Sequence, residues 1–160
     1  MSFLQFFIWG AWLITIANFW FTTKGWQGTD FGFIFMTLGI SSIIMPALTG
    51  IIADRWISAQ KLYGILHILG GINLACLPQA NDPQSFFYIM LIAMMFYMPT
   101  ISLSNSVGYN ILKNNNYDVI KSFPPIRVWG TVGFIAAMWV TNLTGNKASE
   151  NQFYIAAISA

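Results

Sequence analysis

The chain has 160 residues, 56% hydrophobic and 8% charged, with a mean hydropathy of +0.61. Soluble domains carry about 25% charged residues, so this composition excludes an ordinary water-covered globule, and the net charge of +2 is too small to mark a nucleic-acid-binding face. One cysteine, Cys76, and one histidine, His67, supply neither a disulfide framework nor a set of metal ligands, and no cofactor is implied.

Taken in order, stretches free of Asp, Glu, Lys and Arg run over residues 1–23, 31–53, 62–81, 83–112 and 128–146. Each approaches or exceeds the roughly 20 residues a membrane-spanning helix needs. The expected spans lie at about 3–23, 31–53, 61–79, 84–112 and 124–145, and 151–160 opens a sixth that is too short to cross. The predicted fold class is therefore all-α, a polytopic transmembrane helical bundle occupying residues 1–160. The runs are too long and too evenly apolar for barrel strands of about 10 alternating residues.

The first run does not fit a cleaved signal peptide. It lacks a basic leader, is longer than the usual apolar region of about 7–15 residues, and carries Trp9, Trp12, Asn18 and Trp20. The missing basic leader suggests that native residues precede Met1. Between the spans, Arg55 and Lys61 follow the second, while Lys113, Lys121 and Arg127 follow the fourth; Lys24 and Lys147 lie on the opposite side. Short cytoplasmic loops carry the excess of Lys and Arg, which predicts a cytoplasmic N-terminus.

No phosphate-binding glycine loop, nucleophile elbow or paired intramembrane carboxylates are present. Asp30, Asp54, Asp82, Asp118 and Glu150 all fall in or beside loops. An enzyme is not indicated, and transport or channel activity is the class that remains. His67 reads as a helix-packing hydrogen bonder, and Asn18, Asn73 and Asn105 as helix glue or cavity lining. Gly39, Gly64, Gly70, Gly71, Gly108 and Gly133 are expected to allow close helix approach.

The segment Gly50-Ile51-Ile52-Ala53-Asp54-Arg55 resembles the loop signature of the major facilitator superfamily, although Ile57, Ser58 and Ala59 stand where that signature has a glycine and two basic residues. The resemblance implies that Gly50, Asp54 and Arg55 form a cytoplasmic motif that latches neighbouring helices. The run FPPIRVWGTVGF at 123–134 is similar to the corresponding segment of the bacterial nucleoside:proton symporters, a branch of that superfamily. SFLQFFIWGAWL at 2–13, GISSIIMPALTGIIADRWISA at 39–59 and YMPT at 97–100 extend the likeness over the whole chain.

That resemblance implies the N-terminal bundle of a twelve-helix transporter of the cytoplasmic (inner) membrane, with the C-terminal bundle absent here. The implied partners are a nucleoside such as uridine, protons and the bilayer. It further implies that Arg127, Thr131 and Phe134 contact the substrate. At 1.5 Å per residue the three form one helical stripe about 10 Å long, the length of a nucleoside. Read without the family, Arg127 fits an anchor at a cytoplasmic helix end as well as a ligand, Thr131 a back-bonded hydroxyl and Phe134 a packing residue. Pro124 and Pro125 are expected to break a helix that begins near Asp118. A porter for sugars or other metabolites, or a non-transporting receptor, are the alternative functions.

Overall fold

The computed structural model describes residues 1–160, and its regular structure is helical throughout. The elements are α1 (Ser2–Gly10), α2 (Ile16–Asn18) with a π-helical turn at Phe19–Thr23, α3 (Gly28–Arg55), α4 (Ala59–Cys76) with a 3-10 turn at Leu77–Gln79, α5 (Pro83–Asn114), α6 (Val119–Leu143) and α7 (Asn151–Ser159). Helices α3 to α6 are long and apolar enough to cross a membrane, α4 counted with its 3-10 turn.

The expected first span is therefore not one regular helix. Its backbone stays right-handed at Ala11 and Thr15, but the i→i−4 ladder is interrupted at Ile14 and Thr15, whose N–H groups meet no backbone carbonyl, and gives way to i→i−5 bonding after Asn18. Backbone groups freed inside an apolar phase must find new partners. The Ala11 carbonyl accepts from Thr141 Oγ1 at 3.1 Å and from Thr15 Oγ1 at 3.3 Å, so two threonines stabilise the irregular stretch.

The break expected at Pro124-Pro125 does not form. α6 begins at Val119, capped by the Asp118 carboxylate, which accepts from Ile120 N and Lys121 N, and it runs unbroken through both prolines. Each proline removes one i→i−4 bond. The carbonyls so orphaned belong to Ile120 and Lys121, both exposed within the first turn, where water can satisfy them.

α1 packs chiefly on α6, and α5 packs on both α3 and α4. Close approach between α1 and α6 is set by glycines. A Cβ on Gly10 would collide with the Phe134 backbone, and one on Gly133 with the Phe3 carbonyl. Of the glycines expected to bring helices together, Gly133, Gly71 and Gly108 do so, whereas Gly39 and Gly64 face open space.

At one end of the bundle, Phe19, Trp20, Trp26, Phe31, Phe86 and Phe153 interlock with ring centroids 4.6–6.2 Å apart. Lys24 closes that end. Its Nζ donates to the carbonyls of Pro78 (3.2 Å) and Ala80 (3.0 Å) and lies 3.8 Å from Glu150.

Candidate functional site

The middle of α6 presents two adjoining faces. At 100° per residue, Gly130, Gly133, Ala137 and Thr141 share the buried face that meets α1. Arg127, Thr131 and Phe134 lie on the strip beside it. Together with Phe6 of α1 and with Phe123, Pro124 and Val128, they line one open cleft of about 730 Å³, within the roughly 300–1,000 Å³ usual for small-molecule sites. Trp129 is exposed and lies outside the cleft.

The polar groups of this cleft are unpartnered. Arg127 forms no ion pair and donates no hydrogen bond; its guanidinium lies over the Phe6 ring, 4.2 Å from the centroid. Thr131 is exposed and its hydroxyl makes no hydrogen bond. Thr37, Thr49, Thr100 and Thr144 instead donate to carbonyls three or four residues earlier. A free cation and a free hydroxyl one helical turn apart can engage a ligand's carbonyl, ring nitrogen or hydroxyl oxygen, and Phe134 and Phe123 can cover an aromatic ring.

Next to Phe6, a polar cluster that the sequence reading did not single out ties three helices together. Gln5 is fully buried; its Nε2 donates to Thr100 Oγ1 at 2.8 Å and its Oε1 accepts from the Tyr63 hydroxyl at 2.9 Å. The Tyr97 hydroxyl donates to the Gln5 carbonyl. The available signal was an amide inside an apolar run, which lipid would leave unsatisfied, together with Tyr97 and Thr100 three apart in YMPT. His67 bonds locally through Nδ1, 3.0 Å from the Tyr63 carbonyl of its own helix. Asn73 likewise donates to Leu69 O at 2.9 Å.

The loop-motif residues fall elsewhere. Gly50 and Asp54 line a smaller pocket of about 290 Å³ with Ser102, Ser106 and Asn110 of α5. Arg55 is exposed at the end of α3 and forms no ion pair with Asp54. Nothing lies within 4 Å of a Cβ built on Gly50, so within this chain it is not a point of close helix contact. Asp82 caps α5 at the opposite end, and hydrogen bonds from the Ser85 hydroxyl and backbone N–H hold its carboxyl below the usual carboxylate range.

A family model described as nucleoside H+ symporter matches residues 1–160. The nucleoside permease NupG of Escherichia coli (strain K12) is 46% identical over 161 residues, covering 100% of this chain and 38% of that protein. The xanthosine permease of the same organism is 45% identical over 157 residues, covering 98% of this chain and 38% of its own length. A crystal structure of nucleoside transporter NupG superposes with a TM-score of 0.95 at 45% identity, covering 99% of this chain and 39% of that one. The chain thus spans about two-fifths of the length of the curated relatives it matches.

Proposed function

The chain belongs to the nucleoside H+ symporter family, and from that premise we propose that it forms the N-terminal bundle of a nucleoside transporter and supplies one wall of its substrate site. The single observation that carries the reading is the pairing of two unpartnered polar groups, Arg127 and Thr131, in an open, aromatic-lined cleft along a largely apolar helix. Placing such groups in an apolar span without partners is costly. A ligand that satisfies them accounts for their presence.

In this reading the Arg127 guanidinium donates to oxygen or nitrogen acceptors of the base or ribose, the Thr131 hydroxyl bonds a second polar edge, and Phe134 stacks on the ring. The opposite wall comes from a second bundle, and rocking of the two bundles about the site gives alternating access. The first run together with α3 to α6 supplies five crossings of the cytoplasmic membrane, and α7 opens a sixth.

The proton-coupling carboxylate is assigned to the second bundle. Every acidic side chain here lies at a helix end: Asp30 and Asp54 in the first and last turns of α3, and Asp82, Asp118 and Glu150 at helix N-caps. Gly50, Asp54 and Arg55 are assigned to the cytoplasmic gate.

The test is uptake of labelled uridine by the full-length transporter that carries this chain, with and without Arg127→Ala. Loss of a charged donor's hydrogen bonds costs about 1.5–3 kcal/mol, so affinity is expected to fall roughly 10- to 100-fold. Uptake indifferent to the substitution would remove Arg127 from the site.

A further inference from the structure

Arg127 is the one charged side chain in the cleft, yet no carboxylate holds it. A guanidinium on a long flexible stem, left to itself, samples many rotamers. Its cation–π partner is Phe6, whose ring centroid lies 4.2 Å from the guanidinium carbon. Gly130 leaves room for that contact: a Cβ there would stand 2.7 Å from Phe6 Cδ2 and 3.1 Å from Arg127 Nη1.

The Phe6 ring is itself well placed on fixed backbone. Its neighbour Gln5 is bound through side chain and carbonyl to Tyr63, Tyr97 and Thr100, and α1 is pressed against α6 at Gly10 and Gly133.

We propose that Phe6 is a positioning residue of the nucleoside site, its ring face holding the Arg127 guanidinium in the cleft in place of an acidic partner. The inference rests on the reading of the cleft as that site. An Asp or Glu would hold the guanidinium more firmly but would neutralise it and occupy its donors. An aromatic face attracts the cation through the ring quadrupole and accepts no conventional hydrogen bond, so the charge and the N–H groups stay available to substrate.

A graded change in the ring's electron density tests this, because it alters the quadrupole at nearly constant volume. In the intact transporter carrying this chain, Phe6 is replaced by 4-fluoro-, 3,5-difluoro- and 3,4,5-trifluorophenylalanine, and by Leu and Tyr. Uridine affinity is measured by calorimetry and folding by thermal denaturation. Affinity should weaken step by step, by about threefold to tenfold across the series, with the melting temperature unchanged. Phe6→Leu should be at least as weak as the trifluoro variant and Phe6→Tyr close to wild type.

A flat series would overturn the inference, as would Phe6→Leu binding like wild type. A series that strengthens with fluorination would assign the ring to base stacking and also overturn it. If the wild-type transporter bound uridine and the series were flat, only the role of Phe6 would be lost. If the wild type bound no nucleoside, the reading of the cleft would fall and the inference with it.

Discussion

Thr131 and Thr141 sit ten residues apart on one helix and separate two kinds of polar group. Thr141 Oγ1 is fully buried and donates to the Ala11 carbonyl of the irregular first segment; Thr131 is exposed to the cleft and bonds nothing in the protein. Thr141→Val should lower stability by about 1 kcal/mol and leave uridine affinity unchanged, whereas Thr131→Val should weaken affinity severalfold at unchanged melting temperature. Thermal denaturation and binding measured on the same two variants check this, and equal effects would dissolve the distinction. Asp82 gives a pH-dependent counterpart. Its folded pKa is depressed by Ser85, so its capping contribution is present above the unfolded carboxylate value of about 3.9 and is lost as pH falls through the lower folded value. The stability gap between wild type and Asp82→Asn should therefore close on acidification, and a gap that widened would contradict the cap. Which polar groups are free could not be read from residue type: Thr131 and Thr141 look alike along the chain, and only the approach of α1 tells them apart.

The pairing of α1 with α6 rests on surfaces too small to show as a pattern. Gly133 and Gly10 each face backbone of the opposite helix, and backbone cannot rotate aside as a side chain can. Gly133→Ala should force α1 and α6 apart, costing about 1–3 kcal/mol or more in overpacking and carrying Phe6 away from Arg127. Gly64→Ala, where a Cβ meets open space, should be neutral or gain up to about 1 kcal/mol of helix propensity. Size-exclusion profiles and melting temperatures of the two variants decide the matter; a harmless Gly133→Ala would mean that the helices are not in backbone contact. The long helices were legible because charge-free runs of about 20 residues have few other folds open to them in lipid. The irregular bonding of the first segment is not legible along the chain, because the Ala11 carbonyl it frees is satisfied by Thr141, 130 residues away. The prolines were misread because helix breaking depends on whether the freed carbonyls reach water. At the start of α6 they do.

At the scale of the molecule, the charges other than Arg127 fall at or near helix ends, in two groups along the chain. The motif pocket joins Gly50 and Asp54 to Asn110, and Arg55, Lys61 and Lys113 follow its lining residues within three positions along the chain. The far end joins Asp30 to Asp82 across a cavity of about 510 Å³ and Lys24 to Glu150 and to the carbonyls after α4. Lys24 is thus bound within the protein, and Arg127 lies in the α6 cleft and not in a loop, so the loop cations number four (Arg55, Lys61, Lys113, Lys121) against two (Lys24, Lys147). Positively charged short loops are retained in the cytoplasm, so the Arg55–Lys61 and Lys113–Lys121 connections, and with them the start of α1, are predicted to lie inside. Alkaline phosphatase fused after Trp26 or Asn81 should be active, and the same reporter fused after Ser58 or Asn115 inactive. The opposite pattern would invert the bundle and turn Asp54 and Arg55 outward, away from any cytoplasmic gate. It would leave Arg127 in its cleft, because that cleft lies along the side of α6 whichever way the bundle points.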